Sequence, residues 1–275
     1  MPKDVSAADI IVQFIRDRLN DGLQRPLVIG LCGAQGSGKS TVSAQIQDRL
    51  AAIAIRTAVL SLDDLYLTRA ERLHLAHEVH PLFATRGPPG THDVRLGLSV
   101  LADLRAGRPV NLPRFDKSVD DRRPESEWES CATPVDVIVF EGWCVGATAQ
   151  SAAALIEPVN ALERHEDPGC VWRTYANTAL ATDYADLFGA LSHLVLLAAP
   201  SFEVVSDWRR QQEHDLKARL AAAGQSDGMT MSDAEVDRFI QYYERLTRHI
   251  LREMPGRADL TIRLDAQRRI DTGAL

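Results

Sequence analysis

Cysteine is scarce in this 275-residue chain, and the four present (Cys32, Cys131, Cys144 and Cys170) form no C-x-x-C pair. That scatter argues against a disulfide framework and a cysteine-built zinc site, and it fits reduced thiols in a cytosol. A basic excess is lacking as well: 31 Lys and Arg stand against 38 Asp and Glu, a formal charge of −7. With no basic block, the chain is not expected to coat nucleic acid or an anionic membrane, so any phosphate must be handled locally. Long apolar runs are missing too. The most apolar tract, Leu187 to Phe202, is broken by Gly189, His193 and Pro200 and is too short to span a bilayer. The opening Met1-Pro2-Lys3-Asp4, with Asp9 soon after, lacks the apolar centre of a signal peptide. With 17 Gly and 13 Pro and no internal repeat, a collagenous or low-complexity chain is excluded. What remains is ordinary globular composition, 45% hydrophobic and 25% charged, at a length that can bury a full core. These features lead to the expectation of a soluble, cytoplasmic protein.

The apolar residues that are present follow two periods. Ile10, Ile11, Phe14, Ile15 and Leu19 fall at helical spacing, as do Val42, Ile46, Leu50 and Ile53 from Lys39 onward. Val94, Leu98, Leu101 and Leu104 predict a helix from Val94 to Arg105, stopped by Gly107 and Pro109. Leu155 to Leu187 reads as mainly helical with a break at Asp167-Pro168-Gly169, and Phe202 to Ala223 reads as a long charged helix. Ser232-x-x-Glu235 is a capping box that opens a last helix, ending near Met254. Continuous apolar runs at Leu27–Cys32, Thr57–Leu62, Asp136–Phe140, His193–Ala199 and Leu260–Leu264 predict five buried strands. Strands alternating with helices give an α/β fold, a three-layer sandwich whose mostly parallel five-stranded sheet carries helices on both faces. Residues 1–275 are read as one domain, with 69–136 as an insertion between the second and third strands.

Chemistry enters at Gly33-Ala34-Gln35-Gly36-Ser37-Gly38-Lys39-Ser40, a full G-x-x-x-x-G-K-[ST] motif set between a buried strand and a helix and followed by Thr41. Its glycines let backbone N–H groups curl around a phosphate, and the helix that follows aims its positive end at the same point. Lys39 is expected to reach the outer phosphates, with the Ser40 hydroxyl on Mg²⁺. The third strand runs into Glu141-Gly142, which places a carboxylate beside this loop where it can also hold the metal, or merely cap a turn. No Asn-Lys-x-Asp stretch is present to read guanine.

Phosphoryl transfer to an alcohol needs a carboxylate near the γ-phosphate to take the hydroxyl proton. Asp63 and Asp64 end the second strand; Asp63 is read as the base, which also puts it within reach of the metal, while Asp64 contacts substrate or caps a helix. Tyr66 and Trp143 are candidates to line the acceptor. Two loops in the insertion, Arg86-Gly87-Pro88-Pro89-Gly90-Thr91-His92-Asp93 and Leu112-Pro113-Arg114-Phe115-Asp116-Lys117-Ser118, concentrate cations beyond what a triphosphate needs. Arg86, His92, Asp93, Arg114, Asp116 and Lys117 are therefore candidates for binding an anionic alcohol; Asp93 as a helix cap and the cations as a salt-bridged surface are the plainer readings. Arg209, opening the helix after the fourth strand, is placed to neutralise charge on the transferred group, unless it only pairs along its helix.

In this order GAQGSGKST (33–41), SLDDLYLT (61–68), RGPPGTHD (86–93), LPRFDKS (112–118) with DDR (120–122), FEGW (140–143) and DWRRQQE (207–213) resemble the D-glycerate 3-kinase family. The resemblance covers about Leu27 to Leu264, and more distantly the chain is similar to uridine kinase, phosphoribulokinase and bacterial pantothenate kinase. It implies a phosphoribulokinase/uridine kinase-like fold, ATP and Mg²⁺ as cofactors, and phosphorylation of a small hydroxy-acid, D-glycerate, to a phosphoglycerate. By motif, Lys39 and Ser40 serve ATP and metal, Asp63 takes the general-base position, and Glu141 matches the acidic residue of the FEG strand end. The 86–93 and 114–117 blocks then form the acceptor pocket. A sibling kinase for a nucleoside, a pantothenate-like acid or a sugar phosphate, and a non-enzymatic nucleotide-dependent switch or chaperone, remain as other readings. The oligomeric state is not legible.

Overall fold

The computed structural model describes residues 5–22, 25–222 and 230–271 of the chain. In chain order its strands are β1 (Leu27–Gly33), β2 (Thr57–Ser61), β3 (Val110–Leu112), β4 (Phe115–Asp116), β5 (Asp121–Arg122), β6 (Glu129–Cys131), β7 (Val137–Gly142), β8 (His193–Ala198) and β9 (Leu260–Arg263). Its helices are α1 (Ala7–Asn20), α2 (Lys39–Ala51), α3 (Arg69–Glu78), α4 (Val94–Arg105), α5 (Ala161–Glu166), α6 (Val171–Ala181), α7 (Asp183–Gly189), α8 (Phe202–Ala222) and α9 (Asp233–Glu253). Ala223, expected to end the long charged helix, lies outside the described residues.

Five strands pair in parallel in the order β2-β7-β1-β8-β9. Leu31 of β1 faces Glu141 of β7 on one side and Val195 of β8 on the other. Every residue of β1 and of β7 is buried. Unbroken apolar runs of this kind need cover on both faces, and the helices give it: α1 packs on α2, α4 on α7 and α8 on α9. The chain leaves central β1 through α2 and returns as β2 on the far side of β7, so the carboxyl ends of β1, β2 and β7 open onto one crevice.

Segment 69–136 is not wholly an insertion. Parallel β2 and β7 require a crossover, and α4 lies in that connection. The added parts are α3, the antiparallel β3–β6 ribbon and the antiparallel β4–β5 hairpin. Arg72 of α3, 1% exposed, ties that helix to the β4–β5 hairpin: it donates to the carbonyls of Leu67, Ala84 and Asp120, and its guanidinium lies 2.9 Å from the Asp120 carboxylate. The α9 capping box forms as the Ser232/Glu235 spacing demands. No helix among the described residues is long and apolar enough to cross a membrane.

Candidate active site

The loop after β1 closes on itself, with the Ser37 N–H donating to the Ala34 carbonyl at 3.1 Å. Gly36 sits at φ +79°, and a Cβ there would come within 2.6 Å of Trp208 Cβ, so this turn demands glycine. Gly38 is the N-cap of α2 and offers no side chain to the first turn, which also holds no acidic residue. The free N–H groups and positive end of α2 are thus left to an anion. The loop is braced from outside by Arg268, in the turn after β9. Its Nε donates to the Gly36 carbonyl at 2.5 Å and its Nη1 to Gln211 at 2.9 Å, with the guanidinium 5.2 Å from the Trp208 ring centre.

From the first turn of α2, Ser40 Oγ donates to Glu141 Oε1 near the end of β7 at 3.0 Å. Glu141 is 4% exposed, and its Oε2 is buried with no hydrogen-bond partner among the described residues. A hydroxyl and a half-satisfied buried carboxylate are hard oxygen donors that suit Mg²⁺, which takes its remaining ligands from phosphate and water. Among the described residues no cluster of three or more His, Cys, Asp or Glu gathers into an all-protein metal cage.

At the end of β2 the Ser61 hydroxyl accepts the Asp63 N–H and turns the chain into a short 3₁₀ segment, Leu62–Leu65. Asp63 Oδ1 then accepts from Tyr66 Oη at 2.9 Å, and Oδ2 accepts from Lys117 Nζ at 2.7 Å. Burial pushes the Asp63 carboxyl up, but the charges of Lys117 and Lys39 with these two hydrogen bonds outweigh it and hold the group well below the usual carboxylate range. Asp64 turns away and takes the Phe115 N–H at 3.0 Å and Arg114 Nη1 at 3.3 Å; burial leaves its carboxyl above the usual value. Asp63, the third metal candidate, therefore has both oxygens engaged by protein groups.

A cavity of about 420 Å³ joins these parts. Of the residues singled out in the sequence, Gln35, Gly36, Lys39, Ser40, Asp63, Tyr66, Arg86, Lys117, Trp143 and Arg209 line it. Arg209 pairs with buried Glu213 at 2.7 Å and lies 5.6 Å from the Phe239 ring centre, so α8 holds it in place. Arg86 pairs with Asp120, and its carbonyl accepts from Tyr243 Oη at 3.2 Å. Trp143 Nε1 donates to the Gly87 carbonyl at 3.1 Å and packs edge-on to Tyr243.

Five acceptor candidates lie off this wall. Asp93 caps α4 by accepting the Leu96 N–H at 3.0 Å and pairs with Arg122 at 3.1 Å, the plainer of the two expected roles. Arg114 is engaged by Asp64 and, at 2.7 Å, by Glu129; Asp116 takes the Ser118 N–H and Arg123. Asp64 docks the β4–β5 hairpin, as above. His92 is 4% exposed, shares a 2.5 Å hydrogen bond with Tyr184 Oη and stacks on Tyr66; burial pushes it down to about 3, so it is neutral. For Asp64, Asp93, Arg114 and Asp116 a near partner within the insertion satisfies the group before a ligand can, and His92 is held in the core by Tyr184 and Tyr66. On α8 and α9 the lining adds Gln212 and Glu213, which stand in the DWRRQQE stretch without an assigned role, and Phe239 and Tyr243, which sequence reasoning missed. Aromatics at helical spacing carry the same signal as core packing, so no local pattern marked the last two. A second cavity, about 460 Å³, lies at the opposite end of β8 among His193, Arg257 and Asp259, away from the phosphate loop.

The model of the phosphoribulokinase/uridine kinase family matches residues 28–156. The chain is 36% identical over 229 residues to the uncharacterized kinase mug58 of Schizosaccharomyces pombe, across 80% of this chain and 79% of that one. It is 30% identical over 236 residues to the chloroplastic D-glycerate 3-kinase of Arabidopsis thaliana, across 79% of this chain and 46% of that one. Among solved structures, D-glycerate 3-kinase from Cryptococcus neoformans is similar with a TM-score of 0.79 at 27% identity, over 96% of this chain and 97% of that one.

Proposed function

This chain belongs to the phosphoribulokinase/uridine kinase family of P-loop kinases, and from that premise we propose that it uses ATP and Mg²⁺ to phosphorylate a hydroxyl of a small hydroxy-acid, D-glycerate. One observation carries the reading: an ionised carboxylate, Asp63, shares a cavity with Lys39 and Ser40 on one side and with Arg86 and Lys117 on the other. The loop amides, the first turn of α2 and Lys39 bind and orient the triphosphate. Ser40 and Glu141 hold Mg²⁺, which when bound neutralises charge on the phosphates. Asp63 accepts the hydroxyl proton of the acceptor, and Arg209 faces the charge that develops on the transferred group. Arg86 and Lys117 are the cations on the acceptor side, and each already holds a carboxylate, Asp120 and Asp63, that an acid can replace or join.

The walls support a small acceptor over a nucleoside. Tyr66, Trp143 and Tyr243 are no more than 3% exposed, and their rings are taken by His92 and by one another. That leaves little face for a base to stack on. The names of the Arabidopsis and Cryptococcus relatives point to the same acid. The test is ADP formation with D-glycerate beside uridine, pantothenate and glycerol. D-Glycerate should be preferred and glycerol, which lacks the carboxylate, should be poor. Preference for a neutral acceptor would overturn the hydroxy-acid reading.

A further inference from the structure

The carboxylate placed to take the acceptor's proton has no oxygen free. Tyr66 occupies Oδ1 at 2.9 Å and Lys117 occupies Oδ2 at 2.7 Å. These partners differ in how firmly they are held. Tyr66 is 3% exposed and stacked on His92. Lys117 has a 57% exposed side chain and stands on the turn of a hairpin whose strands are two residues each. Asp64 on the Phe115 N–H fixes the base of that hairpin, and buried Arg72 on Asp120 fixes the far end of the turn, which leaves the exposed Lys117 side chain as the part free to swing. Lys117 is thus the partner that can leave Asp63 without disturbing the frame.

The second cation on the acceptor side is tied differently. Arg86 is paired with Asp120, a residue outside the cavity wall, so an acid that binds Arg86 leaves Asp63 as it was. We propose that Lys117 is the specificity-determining residue of this site: it masks Asp63 until an acceptor carboxylate takes its ammonium, so that only an anionic alcohol exposes the base. This rests on the hydroxy-acid reading above. Exchanging one carboxylate for another on the same ammonium is nearly balanced in energy, whereas a neutral alcohol or water offers Lys117 nothing to replace Asp63 with. The mask therefore also restrains hydrolysis. Where it is removed, water can stand in for the acceptor: its oxygen bonds to the γ-phosphorus, the bridging oxygen leaves with ADP, and the proton goes to Asp63.

The experiment compares the full chain with Lys117→Met and Lys117→Arg, reading ATP hydrolysis without acceptor and kcat/KM for D-glycerate and glycerol. Lys117→Met should raise acceptor-free hydrolysis by about two- to fivefold, the worth of a half-exposed ion pair. It should also shrink the D-glycerate to glycerol preference by about 10- to 100-fold, as a charged hydrogen bond to the acid is lost. Lys117→Arg, which keeps the charge, should bring hydrolysis back toward the wild-type rate. Hydrolysis in Lys117→Met no faster than in the wild type, with ATP binding and thermal stability retained, would overturn the proposal. Failure of the hydroxy-acid reading looks different, since it appears as wild-type protein that D-glycerate does not stimulate, while the hydrolysis comparison needs no acceptor.

Discussion

Asp63 and Asp64 adjoin in the chain and do unlike work, because a 3₁₀ turn sends one side chain into the cavity and the other under the β4–β5 hairpin. Asp63→Asn keeps the shape but cannot take a proton, so turnover should fall roughly 10²–10⁴-fold while ATP affinity, measured by calorimetry, persists. Asp64→Asn should instead loosen the hairpin, lowering thermal stability and raising the acceptor KM with a smaller effect on kcat. A larger kcat loss in Asp64→Asn would reverse the assignment. The phosphate loop and Asp63 were legible in the sequence because their signal is contiguous: motif, strand end and helix start lie within a few residues of one another. Arg114, Asp116 and Asp93 were harder to read. A loop cation or carboxylate reveals its charge but not its nearest partner, and here Glu129, Arg123 and Arg122 claim them.

The elements themselves were well signalled, and their mutual fit was not. The period of α4 and the capping box of α9 appear in the sequence as they do in space. Nothing local says that Tyr243 of α9 meets Gly87, 156 positions earlier. Gly87 has φ +127°, and a Cβ there would overlap Tyr243 Oη, whose hydroxyl holds the Arg86 carbonyl. The loop that carries Arg86 is thereby hung on α9 and, through the Trp143 indole, on the end of β7. Gly87→Ala combines overpacking with a disfavoured left-handed backbone and should cost about 2–5 kcal/mol. Thermal unfolding would show that loss, and kinetics should show the acceptor KM rising ahead of the KM for ATP. Equal rises in both would mean that the loop serves the nucleotide instead.

The molecule as a whole buries a group that will not stay neutral once the chain unfolds. His92 is pushed down to about 3 in the fold from an ordinary value of 6.5, chiefly by burial, with the charge of Asp63 opposing. Its imidazole is uncharged in the native state at every mild pH, so stability is full above about pH 6.5 and declines as the unfolded chain takes up the proton below it. Between pH 6.5 and 5 the loss from this residue is about 2 kcal/mol, and His92→Gln should flatten that part of a stability profile measured by denaturant titration. An unchanged slope would mean that other groups set it. The sheet order has a consequence in time. Central β1, which leads into the phosphate loop, pairs on both sides with strands that follow it by more than 100 residues, and the Arg268 brace on Gly36 comes 232 positions later. At roughly 5–20 residues per second of synthesis, some 10–50 seconds separate the emergence of Gly36 from that of its brace. During that interval a nascent chain exposes an unpaired, wholly apolar strand and a loop that cannot yet hold its shape. The nucleotide site begins with β1 and is finished only after β9.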